Sequence, residues 1–221
     1  MLTADDFYTD AERDLQAAHD SRSLADVVVQ AIVRDEMEPP NIDFIASRDF
    51  FFLSTVNDRG EPTVSYKGGA PGFVKVLDAN TLVFPNFDGN GMFKSMGNIA
   101  SMTKIGMLFI DMETPNRVRV QGEATLSTDP ADLALYPGAN MVVKVTVTSC
   151  FLNCARYIHK HTRVEASPYV PDAQGDQPYP AWKRIDMVQD ALPEKDRGKA
   201  DAHGGTITMD GYVERLMAGT S

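Results

Sequence analysis

The clearest pattern along the chain is a strict alternation over residues 117–126. Val118, Val120, Gly122, Ala124 and Leu126 fall on one side, and Arg117, Arg119, Gln121, Glu123 and Thr125 on the other. A period of two is the mark of a strand with one face buried. Other segments carry the same grammar more briefly. Phe50–Val56 is rich in aromatic and β-branched residues, as a strand should be. Asn57-Asp-Arg-Gly60 has turn chemistry, and Pro62–Lys67 reads as the returning strand of a hairpin. Phe73–Leu77, Thr81–Phe84, Met102–Ile110 and Met141–Phe151 complete the set, and a short helix fits residues 91–100. Six or so short strands joined by turns, with few helices between them, predict a mainly β protein built on an antiparallel barrel.

The flanks differ. Leu24–Val33 has a helical pattern, and Pro39-Pro40 is expected to stop that helix, with Asn41 or Asp43 capping a shorter one through Ala46. Asp129 is placed to cap a helical turn. After Arg163 the chain is polar and punctuated by Pro168, Pro171, Pro178, Pro180 and Pro193, with one amphipathic helix expected over Met209–Met217. The organisation predicted is a helical N-terminal cap (1–48), a barrel (49–164) and a C-terminal extension or arm (165–221) that wraps a neighbour or is partly mobile.

Charge sharpens that division. The 221 residues carry a net charge of −10. Residues 1–48 hold 11 acidic and 4 basic side chains, and residues 165–221 hold 10 and 6, whereas 49–164 hold 10 and 11. An acidic chain repels nucleic acid and anionic lipid, so neither is an expected partner. A small anionic ligand would find its counter-charges in the middle segment. No apolar run approaches the roughly 20 residues of a membrane span. The acidic start, unlike a secretory signal, and two cysteines too few for a disulfide framework predict a cytoplasmic protein.

Two blocks carry the candidate chemistry. In Phe84-Pro-Asn-Phe-Asp-Gly-Asn-Gly-Met-Phe-Lys-Ser95 a strand ends, a glycine-bearing loop follows and a helix begins. Unpaired N–H groups at a helix start suit a phosphate, with Asn90 as a side-chain donor and Lys94 as a full charge. A tight turn capped by Asp88 or Asn90 would give the same pattern. In Val64-Ser-Tyr-Lys-Gly-Gly-Ala-Pro-Gly-Phe73, Lys67 ends a strand, and the paired glycines would let backbone approach a flat ring. His159-Lys-His161 lacks the further ligands a metal needs, so no metal is expected. Cys150 and Cys154 read as ordinary or buried thiols, and Trp182 as an anchor or a cover for a ligand. No side chain identifies itself as a general acid or base.

Together the blocks resemble a family. The order Ser65-Tyr-Lys67, Gly-Gly-x-Pro-Gly-Phe73, Thr81-Leu-x-Phe-Pro-Asn86, Gly89-Asn-Gly91, Asn98-Ile99, Ile105–Ile110, Arg117-Val-Arg-Val-Gln-Gly122 and Asn153-Cys-Ala-Arg156 is similar to that of the pyridoxamine 5′-phosphate oxidase-related FMN-binding split-barrel proteins, over roughly residues 45–158. The resemblance implies a six-stranded split barrel that pairs into a homodimer with FMN held between subunits. It implies that Ser65, Tyr66 and Lys67 lie against the isoalloxazine ring, that Phe84, Pro85 and Asn86 form the strand end that follows, and that Gly89, Asn90 and Gly91 hold the phosphate. Lys94, Arg117 and Arg119 supply further cations. The oxidases carry Ser-Arg-Lys where this chain has Gly89-Asn-Gly91, and Arg-Gln-Val-Arg where it has Arg117-Val-Arg-Val120. No counterpart of their C-terminal substrate-binding segment is present. These departures argue against pyridoxamine phosphate oxidation and leave flavin binding in place. The expected function is an FMN-dependent oxidoreductase acting on a small molecule. The alternatives are a non-catalytic flavin or haem sensor or storage protein, with His159 or His161 as the haem ligand, and a split barrel that uses deazaflavin F420.

Overall fold

A computed structural model describes residues 2–220. The chain forms two compact units, one from the residues up to Ala166 together with 173–175, the other from 167–172 and 176 onward. The first opens with three helices, α1 (Ala4–Phe7), α2 (Asp10–Ala18) and α3 (Arg22–Ile32), then a two-residue strand β1 (Val33–Arg34) and helix α4 (Pro39–Ala46). The barrel follows as β2 (Phe50–Val56), β3 (Pro62–Gly68), β4 (Lys75–Asp78), β5 (Thr81–Asn86), α5 (Lys94–Ser101), β6 (Lys104–Asp111), β7 (Asn116–Ser127), α6 (Pro130–Leu133) and β8 (Met141–Asn153). Each strand pair is antiparallel, in the order β3-β2-β6-β7-β8-β5-β4, with β1 added on β8.

The eighth strand, β1, was invisible as sequence because two residues are too few to show a period; it pairs Val33 with Phe151 and Arg34 with Cys150. Pro39 and Pro40 begin α4 instead of stopping the helix before it. The first helical turn has no use for their missing N–H groups, and their fixed φ already suits a helix. The preceding helix ends earlier, at Ile32. The strand expected from Phe73 starts instead at Lys75, as β4. Gly72, at φ +82°, turns the chain so that Phe73 and Val74 drop from the loop into the core. In the N-terminal stretch, Thr3 with Asp6 and Thr9 with Glu12 form capping boxes that start α1 and α2.

One core fills the barrel. Phe51, wholly buried, lies 5.0 Å from the Phe84 ring, 5.1 Å from Phe109 and 5.8 Å from Phe73. Val118, Val120 and Ala124 of β7 face into it, as their alternation requires. Gly122 sits where β7 and β8 slip register, with Gln121 opposite Ser149 but Gly122 opposite Val147. A Cβ there would stand 2.5 Å from the Thr146 carbonyl oxygen, so only glycine fits this close approach. Outside the barrel, α3 and α1 cover the end of β8, where Val29, Val33 and Phe7 meet Phe151. The α6 turn covers β5, where Tyr136 donates its hydroxyl to the Val83 carbonyl at 2.9 Å. With both faces covered, Leu82, Val83, Phe84 and Pro85 are all buried, which hides the period of two.

The second unit is built from short 3₁₀ turns and one helix, α7 (Met209–Met217). Its buried apolar residues are Ala181, Ile185, Leu192 and Ala200. Beside them lies an ion pair, Lys183 Nζ to Asp196 Oδ2 at 2.8 Å, with both side chains more than nine-tenths buried.

Candidate functional site

The pairing of β3 with β2 sets the direction of every side chain in the second sequence block. Ser65 stands opposite Leu53 and Lys67 opposite Phe51, residues that face the core, so both point to the barrel side of this edge strand. Tyr66, between them, points outward and stacks on Phe50 at 5.3 Å. The first block arrives at the same place through α5. This helix is pinned to the barrel by Met96 and Ile99 in the core and by Asn98, which donates to the Thr55 hydroxyl at 2.9 Å. Its second residue, Ser95, is buried and shares a 2.8 Å hydrogen bond with Ser65. That contact joins the two blocks across thirty residues of sequence.

The entrance to α5 is open. Phe93, the residue before the helix, holds a left-handed φ of +48°, and no side chain caps the helix. Gly91 takes φ +78°, and added Cβ atoms at Gly89 or Gly91 would meet nothing within 4 Å. Asn90 folds this loop on itself by accepting the Met92 N–H at 3.1 Å. Lys94 is exposed at the first helical position, and its charge helps to hold the Glu61 carboxyl down, behind the hydrogen bonds from Arg59 and Asn57.

Lys67 is the unusual cation. Its side chain is half-buried, and burial pushes the ammonium below the ordinary lysine range. No carboxylate lies within ion-pair distance of it among the described residues. A positive group desolvated without a counter-ion is one that an incoming anion or a polarisable ring edge would stabilise.

The remaining expected residues divide. Phe84 is spent on the core, Pro85 is buried, and Asn86 is tied to Asn140 at 2.8 Å; the strand end they form leads directly into the loop at 89–91. Arg117 and Arg119 lie on the outward face of β7. That strand is three places from β3 in the sheet, roughly 14 Å at the usual strand spacing. One chain therefore assembles Ser65, Lys67, the 89–91 loop and Lys94 in one neighbourhood and leaves Tyr66, Arg117 and Arg119 on the opposite face. Trp182 lies in the second unit, where Lys183 Nζ stands 5.7 Å from its ring. No three His, Cys, Asp or Glu side chains are grouped to hold a metal among the described residues, and none of the described helices is long and apolar enough to cross a membrane. Sequence reasoning quoted Ser95 and Asn98 within its motifs but gave neither a role, since their contacts with Ser65 and Thr55 lie across the fold.

This arrangement is that of a split barrel with an open loop-and-helix edge, and the chain belongs to the pyridoxamine 5′-phosphate oxidase family, whose model matches residues 39–153. No curated protein matches the chain. Among solved structures it is similar to HupZ of Group A Streptococcus (18% identity, 57% of this chain and 100% of that one, TM-score 0.44). It is also similar to an FMN-binding protein of Syntrophomonas wolfei (13% identity, 65% and 95%, TM-score 0.42). A third likeness is to the haem-storage protein HutZ of Vibrio cholerae (16% identity, 50% and 89%, TM-score 0.38).

Proposed function

We propose that the protein is an FMN-binding flavoprotein, an oxidoreductase acting on a small molecule, and that two copies of the chain complete each cofactor site. The observation that carries this reading is the half-buried, acid-free Lys67 beside an uncapped helix start that Ser95 locks to Ser65. The residues fit the group. A dianionic phosphate needs free N–H donors and a nearby cation, and the Gly89–Gly91 loop, Asn90 and Lys94 offer both. A planar ring needs an approachable strand edge, which Ser65–Lys67 provide. FMN would supply the hydride or electron chemistry. The protein's own part is to bind and orient it: Lys67 holds positive charge at the strand edge, and Ser65 and Ser95 fix the distance between that edge and the phosphate loop.

The split of cations between two faces supports a homodimer. Tyr66, Phe50, Phe52, Leu108 and Ile110 lie on the outward side of β3, β2 and β6, an apolar surface on which a second copy would sit. Arg117 and Arg119 border it and reach a cofactor only from the other chain. The test is the visible spectrum of the purified protein before and after incubation with FMN, with its mass in solution. Flavin absorption with one FMN per chain in a dimer is expected. A haem or deazaflavin spectrum, or a protein that stays colourless with FMN, overturns the assignment.

A further inference from the structure

Helix α3 is apolar on two sides, and the chain covers only one of them. Val29, wholly buried, meets Val33 and Phe151 over the end of β8. At the helical angle of about 100° per residue, Leu24, Val27, Val28, Ala31 and Ile32 form a second stripe. All five are exposed, Leu24 at 66% and Val27 at 60%. The polar residues Arg22, Ser23, Asp26 and Gln30 share the one remaining arc. A helix with so narrow a polar side is one that is covered on two faces. It also precedes residues 39–153, which the family model matches, so its cover belongs to this chain in particular.

A second uncovered apolar surface lies on the same side of the sheet. Cross-strand partners run Tyr66, Phe52, Leu108, Arg119, Phe151, Val33 from β3 to β1. Direct partners in an antiparallel ladder point to one face. The Phe151 ring under α3 and the side chains of Tyr66, Phe52 and Leu108 are therefore on one side. Val64 of β3 adds to that surface at 67% exposure, beside Tyr66 at 63%. The eleven residues of α3 make a rod roughly 16 Å long. Three strands make a floor roughly 14 Å wide. Rod and floor match in length and in polarity.

We infer that α3 of each copy docks on the outward face of β3, β2 and β6 of a second copy of this chain. The inference rests on the homodimer of the proposed function and not on its cofactor. A two-fold rotation that seats one helix seats the other, so the contact occurs twice and leaves neither surface open. Packing α3 against α3 would leave both sheet faces wet. The sheet face alone offers a handful of apolar side chains, against the roughly 20–30 residues that a stable interface takes from each side. The helix about doubles that apolar core. Lipid is a poor occupant, because 11 acids against 4 bases in residues 1–48 repel an anionic surface.

The test places one cysteine on each surface. The background is Cys154→Ser, in which the remaining thiol, Cys150, is buried. Val27→Cys and Val64→Cys chains, one of them mass-tagged, are co-expressed and treated with a short bis-maleimide. Each thiolate adds across one maleimide double bond, so no oxidant is needed. Cross-linked pairs holding one chain of each kind are expected to dominate. Pairs of two Val27→Cys chains in greater yield would put α3 on α3 and overturn the docking. A dimer by mass without mixed pairs overturns the docking and leaves the homodimer standing, whereas a monomer by mass overturns both. A second measurement needs no cross-link. Val27→Glu places a charge in the contact and leaves Val29 alone. At about tenfold for each of two contacts, the dimer dissociation constant should rise about a hundredfold. Gln30→Glu, on the polar arc, should leave it unchanged. Sedimentation over a concentration series measures both, with circular dichroism confirming the helix. An unchanged constant in Val27→Glu, or an equal rise in Gln30→Glu, overturns the docking.

Discussion

The two units of this chain solve the problem of burial in opposite ways. The barrel unit fills its interior with large apolar side chains, Phe51, Leu53, Phe84 and Phe109 all at 0% exposure, and the polar side chains it buries, such as Asn98 and Thr55, are neutral and hydrogen-bonded. The C-terminal unit has four small or medium apolar residues inside and sets a full ion pair, Lys183 and Asp196, among them. Burying a charge is costly unless it is paired, and a pair carries value only while both partners remain. The barrel should therefore fail by losing volume and the C-terminal unit by losing charge. The lone tryptophan, Trp182, lies in the second unit beside Lys183. Its fluorescence reports that unit, while far-ultraviolet circular dichroism is dominated by the strands and helices of the other.

The largest effect is expected from Phe51→Ala. It removes the ring at the centre of the aromatic cluster and leaves a cavity, at a cost of about 4 kcal/mol. In urea, the dichroism midpoint should fall steeply. A midpoint within experimental error of the parent would refute the claim that this cluster organises the barrel. Next comes Asp196→Asn, which takes away the carboxylate 2.8 Å from Lys183 and should destabilise the C-terminal unit by about 3 kcal/mol. Here the Trp182 signal should move and the dichroism transition should not. Equal shifts in both would show that the ion pair supports more than its own unit.

How much of this could be read from the amino-acid sequence follows the same contrast. The barrel was open to reading wherever one face meets solvent: Val118, Val120 and Ala124 alternate with exposed neighbours, and the strand they form is found at 116–127. Where both faces are covered, as at Val83 under Tyr136, no alternation shows, yet the strand expected over Thr81–Phe84 is found at Thr81–Asn86; a strand of two residues, Val33–Arg34, was closed to reading. The C-terminal unit gave only its last helix, because turns of three to six residues stabilised by an ion pair leave no period. Of the candidate site, the loop at 89–91 and Lys67 stood out by residue type. The Ser65–Ser95 bond did not, since it joins residues thirty apart in sequence through a strand-to-helix contact that no local pattern encodes.

Lys67 belongs to neither solution, being a charge half-buried in the barrel unit without an acid, and that gives it a measurable pH signature. Its folded-state value is lowered, so the unfolded chain binds more protons as the pH approaches the ordinary lysine range of about 10.4. Stability conferred by this group is therefore least when it is protonated in both states and rises with pH through the lowered value. Anion binding runs the other way and weakens as the ammonium is lost. Lys67→Met should thus make the ligand-free protein more stable at neutral pH and weaken FMN binding by about tenfold, the size of one charge-assisted hydrogen bond. It should also flatten the alkaline fall in affinity. Calorimetry with FMN at neutral and alkaline pH measures the second effect and thermal melts the first; a variant that binds FMN as tightly as its parent removes Lys67 from the site.

The smallest effect sharpens the comparison most closely, because it concerns a polar group at the margin of the barrel. Tyr136 packs against Val83 and Val142 on the outside of β5 and gives its hydroxyl to the Val83 carbonyl at 2.9 Å. Tyr136→Phe keeps the ring and its apolar contacts and removes only the donor. The Val83 carbonyl then loses a partner in a place water does not reach, which should cost about 1 kcal/mol. Tyr136→Ala removes the ring as well and should cost several times more, in proportion to the apolar surface uncovered. If the two substitutions cost the same, the hydrogen bond and not the packing holds the α6 turn against β5, and the barrel's outer face would resemble the C-terminal unit in depending on polar pairing. A small loss for Phe and a large one for Ala, both read from the dichroism midpoint with Trp182 unmoved, would place this outer layer with the apolar interior it covers.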